Sequence, residues 1–211
     1  MGHNKTVLQC LSEVCGELLE KKEELNALDA VMGDGEHGSN IERAFGQVQE
    51  QIPQMEEMSG VQIIDKTGSI LLASGGGTAT TLMGFACKKT GVLLKDRKKP
   101  TAEETAQIMR KVWESIQNKS KAVKGDKTLM DAYTPAVEAF VKASWEGASF
   151  EACFVAAARA AAEGVEATKE MIAKRGRGYY VGERGLGTAD PGATSVATIF
   201  HAISKILGEG E

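Results

Sequence analysis

The apolar residues of this chain recur at intervals of three or four positions along almost its whole length, a spacing typical of helices with one buried face. The first such stripe runs from Val7 to Leu25 and predicts a long helix that ends just before Asp29. Ser39 is followed three residues later by Glu42, the spacing of a capping box, so a second helix is expected to begin there. The polar segment between the two helices is therefore predicted to be a loop.

Similar apolar stripes predict further helices as far as the end of the chain. They begin near Val61, after the glycine run at 75–77, at the Thr101–Glu104 capping box, near Pro135, in the alanine-rich block 149–173 and at Asp190. Asp190 followed by Pro191 is typical of an N-cap residue and a proline in the first turn. No pair of strands is indicated. We therefore predict an all-α fold of about eight amphipathic helices in one domain that covers residues 1–211.

Composition narrows the classes of partner. The chain has 211 residues, a formal net charge of -4 and a pI near 5.6, which argues against a general nucleic-acid-binding protein. It has no run of about 18 apolar residues, so no membrane partner is expected. Four cysteines in apolar contexts, without a CxxC spacing, predict reduced thiols and a cytoplasmic location: Cys10, Cys15, Cys87 and Cys153.

The segment with the densest candidate chemistry follows the first helix, where Asp29, Asp34 and Glu36 precede His37 among glycines. So many like charges in a short segment favour a bound cation, and carboxylate oxygens without thiolates suit Mg²⁺ or Ca²⁺. An EF-hand is excluded because a calcium loop that starts at Asp34 would place Phe45 where its bidentate glutamate belongs. Solvated turn acids that cap a helix are the alternative interpretation.

Three more loops carry candidate chemistry. A glycine run within residues 74–81 precedes an apolar helix, and its backbone N–H groups favour an anion such as phosphate, although glycine loops also cap helices without any ligand. No GxGxxG motif follows a strand and no complete Walker A motif is present, which disfavours Rossmann and P-loop folds. Residues 125–131 combine a lysine, a hydroxyl and a carboxylate, and residues 175–194 are rich in arginine and glycine. The alternatives for these two loops are a helix-capping turn and a flexible basic surface loop.

Taken in chain order, these segments resemble the nucleotide-binding L subunit of dihydroxyacetone kinases. The matching motifs are Gly33–Gly38 (GDGEHG), the glycine loop Ser74–Thr78, Gly125–Thr128 (GDKT), Gly182–Arg184 (GER) and Asp190–Ser195 (DPGATS). The resemblance extends from the first helix to the end of the chain. It implies a single-domain barrel of eight antiparallel amphipathic helices, with a nucleotide bound in the loops at one end.

The resemblance also implies ligands for individual residues. Asp29, Asp34 and Glu36 would hold two Mg²⁺ ions that bridge the phosphates of ADP or ATP. Glu36 stands where the family usually has aspartate, and its longer side chain has to fold back or bind bidentately, which leaves the metal spacing at this position open. Arg177 and His37 would be catalytic. The residues expected to contact the nucleotide are His37, Gly38, Ser39 and Asn40, Thr78 and Ala79 at the phosphates, Ser120 and Leu129 at the base or sugar, and Arg177, Asp190, Pro191 and Gly192.

The activity implied by the resemblance is phosphoryl transfer together with partner subunits. A chain with no K domain attached looks more like the form in which a phosphohistidine subunit rephosphorylates bound ADP. The phosphoryl group then passes to dihydroxyacetone, or a similar short ketose, on a K subunit. One alternative is the L subunit of an ATP-dependent dihydroxyacetone or erythrulose kinase, and another is a nucleotide-loaded regulatory binding module. A homodimer is compatible with each of these.

Overall fold

Every regular element in the described part of the chain is a helix, which confirms the all-α prediction. The structure is a computed structural model that describes residues 3–95, 97 and 99–208. The helices are α1 His3–Glu20, α2 Lys22–Met32, α3 His37–Gln51, α4 Gly60–Ala73, α5 Gly77–Leu94, α6 Ala102–Ser120, α7 Met130–Trp145, α8 Phe150–Thr168 and α9 Pro191–Gly208. Short 3-10 turns cover Ile52–Met55, Arg177–Tyr180 and Gly182–Gly185.

The helices form a closed ring. Each of α3 to α8 packs on the next helix in chain order, α1 packs on both α3 and α9, and α2 packs on α3 and α9. At Lys21 the chain leaves regular helical geometry, although the Lys21 and Leu25 N–H groups still donate to carbonyls four residues earlier. Counted as one kinked helix, α1 and α2 make the described ring a barrel of eight members. Most successive members are joined by short connections, which is typical of antiparallel neighbours, whereas α8 and α9 are joined by the longer segment 169–190.

The interior of the barrel is filled by the apolar stripes that the sequence predicts. Leu18, Leu25 and Ile41 are fully buried on the amino-terminal helices. On α7, Phe140 packs edge-on against Phe154 of α8, with ring centroids 5.0 Å apart. Burial of such side chains supplies the main driving force for closing the ring.

Two predicted boundaries of the first helices are wrong. The helix expected to end before Asp29 continues through α2 to Met32, so Asp29 lies in its last turn. The capping box expected at Ser39 does not form, because α3 already begins at His37. Ser39 lies inside the first turn of α3 and donates its backbone N–H to the Asn26 side chain at 3.0 Å. Side chains of α2 therefore determine where α3 begins.

Two predicted helix starts further along the chain are confirmed, whereas the helix expected over the alanine-rich block 149–173 already ends at Thr168. Thr101 and Glu104 form a reciprocal capping box at the start of α6. Asp190 accepts the Ala193 N–H through Oδ1 at 2.7 Å, and Pro191 is the first residue of α9. Among the residues that the structure describes, no helix is both long and apolar enough to cross a membrane.

Candidate functional site

The four loops with candidate chemistry lie at one end of the barrel, where α2, α4, α6 and α8 end and α3, α5, α7 and α9 begin. Side chains connect the loops to one another and to the helices beside them. Arg177 forms an ion pair with Asp34, His37 Nε2 lies 2.9 Å from Ser195 Oγ, and Arg43 donates to the Gly75 carbonyl at 3.4 Å. Segments far apart in sequence therefore meet in one place, which we call the loop end.

The acidic segment after α2 is organised around Asp29. Its carboxylate Oδ2 accepts the backbone N–H groups of Glu36 at 3.0 Å and His37 at 3.1 Å, which caps the start of α3. A Cβ on Gly33 would lie 2.5 Å from Asp29 Oδ1, so the chain passes directly over this carboxylate. Asp34 pairs with Arg177, and Glu36 is exposed at the N-cap position of α3. The helix-capping alternative is thus realised by Asp29.

The donor set of this segment suits a divalent cation in kind. Asp29, Asp34 and Glu36 provide only oxygen ligands, which Mg²⁺ prefers. Across the described residues, however, no three Asp, Glu, His or Cys side chains converge into a group that could hold a metal ion. The guanidinium of Arg177 provides the positive charge beside Asp34 instead. A cation bound by these acids therefore requires Arg177 to leave Asp34 and the carboxylates to turn toward each other.

His37 is held in one orientation by Ser195. The Ser195 hydroxyl donates to the Pro191 carbonyl at 3.1 Å, so its oxygen is left to accept from His37 Nε2. Burial lowers the pKa of His37, although the nearby Asp29 carboxylate opposes this shift. The imidazole is therefore neutral near pH 7, and its Nδ1 is an acceptor. It is suited to accept a hydrogen bond from a group at the loop end.

The glycine loop places the start of α5 at the loop end. Gly75 and Gly77 have positive φ angles of 65° and 81°, which only glycine adopts readily. A Cβ on Gly76 would lie 2.9 Å from the Asn40 carbonyl oxygen, so α3 and this loop approach closely. No side chain caps α5 at its N-cap position. Its first turn, which contains Thr78, therefore presents backbone N–H groups that an anion can accept.

The charge distribution of the loop end combines two opposite features. The N-termini of α3, α5, α7 and α9 carry partial positive charge, which favours a bound anion. The acidic segment is negative and favours a cation. A phosphorylated ligand accompanied by divalent cations satisfies both.

Lys127 is a residue of this end that the sequence interpretation left without a specific role. Its side chain is buried, with 2% exposure, and Nζ donates to the Gly185 carbonyl at 2.6 Å and the Met171 carbonyl at 3.1 Å. Asp131 accepts the N–H groups of Gly125 and Thr128 at 2.5 and 2.8 Å, which fixes the turn that contains Lys127. The GDKT motif was the available signal, but a lysine in a polar turn is usually solvated.

The remaining predicted nucleotide contacts include Leu129, Gly192, Ser120 and Asp190. Leu129 and Gly192 meet, since a Cβ on Gly192 would lie 3.3 Å from Leu129 Cβ. Ser120 is the last residue of α6, and its hydroxyl accepts the Ala122 N–H at 3.2 Å. Burial is the main reason why the pKa of Asp190 rises to about 7; the Asp131 charge contributes to the rise, while the Ala193 and Gly192 N–H groups and the Lys127 charge oppose it.

The fold and the loop end together define a class of protein, a helical barrel whose loops at one end offer groups suited to an anionic ligand with cations. A family profile described as the DAK2 domain matches residues 31–205. The chain belongs to the DAK2 domain family, which confirms the resemblance seen in the sequence.

Individual relatives agree with this assignment. The chain is 35% identical over 196 residues to the PEP-dependent dihydroxyacetone kinase, ADP-binding subunit DhaL, of Escherichia coli (strain K12), covering 92% of this chain and 93% of that one. It is 32% identical to the L-erythrulose kinase of Pectobacterium atrosepticum, covering 87% of this chain but 32% of the relative. The crystal structure of the dihydroxyacetone kinase from C. freundii in complex with AMP-PNP and Mg²⁺ superposes with a TM-score of 0.74 at 23% identity, covering 94% of this chain and 33% of that chain. This last similarity shows the fold.

Proposed function

We propose that the protein is the ADP-binding phosphotransferase subunit of a dihydroxyacetone kinase. In this proposal a phosphoryl group passes from a phosphohistidine donor subunit, through the bound nucleotide, to dihydroxyacetone or a similar short ketose held by a partner K subunit. The observation that carries the proposal is the meeting of four helix N-termini with the acidic segment at the loop end. Similarity to an ADP-binding subunit along nearly the whole of both chains supports it.

The acids of the loop end would hold the metal ions. Asp29, Asp34 and Glu36 are the proposed ligands of two Mg²⁺ ions, which would neutralise phosphate charge. Asp29 already has a fixed place, because its second function is to cap α3. Asp34 and Glu36 are exposed and follow glycines with freedom to turn, and Gly35 has a positive φ of 75°. The two more mobile acids are thus the ones that have to adjust to an ion.

Backbone and amide groups would position the nucleotide. The first turn of α5, with Thr78 and Ala79, has no side-chain cap and would donate its N–H groups to the phosphates. The start of α3, from His37 to Asn40, would line the adjacent side. On the opposite side, Ser120, Leu129, Asp190, Pro191 and Gly192 are the proposed contacts for the base or sugar and for closing the site. Leu129 and Gly192 offer this region an apolar contact.

Arg177 and His37 are the proposed catalytic residues. Arg177 stabilises negative charge on the transferring phosphoryl group, for which its forked guanidinium is well suited. It reaches the acidic segment in this structure, so the exchange from Asp34 to a phosphate is short. His37, oriented by Ser195, accepts a hydrogen bond at Nδ1 from a group bound beside the phosphates.

A transfer assay without free ATP tests the proposal. The purified chain loaded with ADP and Mg²⁺ is mixed with a phosphohistidine donor subunit, a K subunit and dihydroxyacetone, and triose phosphate is measured. We expect product in amounts that exceed the ADP present, and none with Asp34→Asn. Asp65→Asn, which changes an acid on α4 outside the four loops, is the matched control and should remain active. Product only when ATP is supplied would instead favour the ATP-dependent kinase.

Two specific observations keep alternative functions in view. The match to an L-erythrulose kinase, of which this chain covers one part, favours direct use of ATP with erythrulose as a second candidate. Glu36, at a position where aspartate is usual in the family, motivates the regulatory binding module. Asp34→Ala distinguishes the last case, since a module that still binds its partner protein without nucleotide would contradict the enzyme. A cytoplasmic location and a homodimer are further proposals, which fractionation and analytical ultracentrifugation would test.

A further inference from the structure

The buried ammonium of Lys127 has an unusual environment. A charged side chain that is almost fully removed from water is costly unless strong hydrogen bonds compensate. Lys127 also has a positive φ of 58°, which is uncommon for a residue with a side chain. Both features cost free energy at this one residue, so compensation is expected from the groups that the ammonium binds.

The ammonium holds together the two ends of one loop. Its acceptors, the carbonyls of Met171 and Gly185, flank residues 172–184 of the connection between α8 and α9. A compact surface loop whose ends lie close together is an Ω-loop, and here the Lys127 cation joins the two ends, next to a hydrogen bond from the Gly187 N–H to the Lys169 carbonyl at 2.8 Å. Arg177 lies inside this loop, so the fixed base and the proposed catalytic side chain belong to one segment.

Neighbouring contacts tie the same loop to the lysine-containing turn. Lys174 donates its backbone N–H to the Asp126 carbonyl at 3.0 Å, and Arg175 Nε lies 3.1 Å from Asp126 Oδ2. The outer part of the loop, in contrast, buries little: Gly178 packs against Met32 of α2, but Tyr179 and Tyr180 are 60% and 84% exposed. Because few apolar contacts besides that of Gly178 hold the outer part, the position of Arg177 depends strongly on the base.

We propose that Lys127 is a positioning residue that fixes the base of the 172–184 loop and so places Arg177 at the acidic segment. The inference rests on the proposed function, in which Arg177 acts on the phosphoryl group. Lys127 does not touch the ligand in this account. It acts through the loop, from a position that lies 44 residues before Met171 and 58 before Gly185.

Lys127→Met removes the ammonium and keeps much of its volume. We expect turnover in the transfer assay to fall between about tenfold and about a hundredfold, because small displacements of a catalytic group have effects of this size. ADP affinity should change less than about threefold, since the metal and phosphate contacts remain. Lys124→Met, on the same connection but exposed, is the matched control and should behave like the wild type.

A double mutant separates positioning of Arg177 from a general structural effect. In an Arg177→Gln background, Lys127→Met should cause almost no further loss of turnover, because both substitutions remove the same contribution. Equal losses in the two backgrounds would overturn the proposal. Amide hydrogen exchange gives a second readout that needs no activity: protection should fall in residues 172–187 while that of α4 and α5 is unchanged. A loop with unchanged protection would also overturn it.

Lys127→Arg covers the case in which the methionine variant does not fold. It keeps the charge but moves the donors away from the two carbonyls, so the same local loss of protection and the same dependence on Arg177 are expected. Wild-type loop protection would contradict the inference here too. If the wild type transfers no phosphoryl group, the proposed function fails, whereas the exchange measurement still decides whether Lys127 holds the loop.

Discussion

The ion pair between Arg177 and Asp34 shows how one residue can serve two states of the site. Their side chains are 65% and 38% exposed, and an exposed pair of this kind contributes about 0–1 kcal/mol to stability. The pair is therefore weak enough to be replaced by the proposed partners, a cation for Asp34 and a phosphate for Arg177. The proposed function depends on this exchange.

Arg177→Gln should remove the phosphate contact and leave the fold intact. We expect turnover to fall by roughly a thousandfold, the size of effect seen when an arginine that stabilises phosphoryl transfer is lost. ADP affinity with Mg²⁺ should remain close to that of the wild type, or increase slightly, because Asp34 no longer has a competing partner. Single-turnover kinetics and calorimetry measure the two quantities. Arg184→Gln, on the same connection, is the control, and an unchanged rate for Arg177→Gln would refute the catalytic role.

Asp190 should make the stability of the protein depend on pH. Its pKa in the folded protein is about 7, against 3.8 for an unperturbed aspartate carboxyl, because burial disfavours the charged form. The folded state therefore binds more protons than the unfolded state between these values, and stability from this group falls as pH rises through that window. Asp190→Asn cannot ionise but still caps α9.

Urea unfolding measures this effect directly. The variant's free energy of unfolding, relative to the wild type, should increase between about pH 4 and about pH 7. A difference that stays constant with pH, or one that shrinks as pH rises, would show that Asp190 is ionised normally in the folded protein. Asp131 and Lys127 face this carboxyl and stay unchanged in the comparison.

Single residues also mark where sequence reasoning stopped. The four loops could be singled out from the sequence because their motifs are local, and the fold brings them to one end of the barrel. Lys127 could not be recognised from its neighbours, since its acceptors are carbonyls of Met171 and Gly185 far along the chain. The same holds for Ser195, whose role becomes visible only beside His37.

At the scale of helices, the apolar periodicity predicted which segments are helical better than it predicted where each helix begins and ends. The apolar stripes identified the helices of the barrel because burial of one face follows a spacing of 3.6 residues. The predicted start of α3 was wrong because two side chains of α2, Asn26 and Asp29, accept hydrogen bonds from the N–H groups of its first turn. A cap supplied by another helix leaves no local pattern, whereas the Thr101–Glu104 box is local and was predicted correctly.

Gly38 shows how tightly α2 and α3 pack beneath the acidic segment. A Cβ at this position would overlap the Lys22 carbonyl oxygen. Gly38→Ala should therefore destabilise the protein by about 1–3 kcal/mol, the usual cost of overpacking, and move α3 relative to Asp29. This packing alone accounts for a glycine here, next to any role at the nucleotide.

Gly46→Ala is the matched control on the same helix. No atom lies within 4 Å of a Cβ at Gly46, so alanine should stabilise α3 by about 0.5–1 kcal/mol through its better helix propensity. Chemical denaturation of both variants gives the comparison. If the two substitutions had the same sign, close packing of α2 against α3 would be disproved.

At the scale of the whole molecule, ring closure is what assembles the site. The eight-membered barrel brings the ends of α2, α4, α6 and α8 to one place, although α2 ends at Met32 and α8 only at Thr168. Each loop alone has an ordinary alternative, as a cap, a turn or a surface loop. Their combination, with helix N-termini beside acids, fits the phosphorylated ligand with cations that we propose.

The predicted number of about eight helices agrees with the eight members of the described ring, but the sequence alone does not show why. The stripe from Val7 to Leu25 crosses the kink at Lys21, so it was interpreted as one helix, and α1 with α2 indeed occupies one place in the ring. Closure itself needs contacts between α1 and α9 at opposite ends of the chain. No pattern in a single segment reports such contacts, and the barrel was expected only from the family resemblance.

The central claim is that the acidic segment binds a nucleotide through Mg²⁺, and calorimetry with ADP tests it most directly. Nucleotide-free protein is titrated with ADP in the presence of Mg²⁺ and again with a chelator, for the wild type, Asp34→Asn and Arg177→Gln. The account predicts binding by the wild type and Arg177→Gln only with Mg²⁺, and a large loss of affinity in Asp34→Asn. Equal ADP binding with and without Mg²⁺, full affinity in Asp34→Asn, or no binding by the wild type would contradict it.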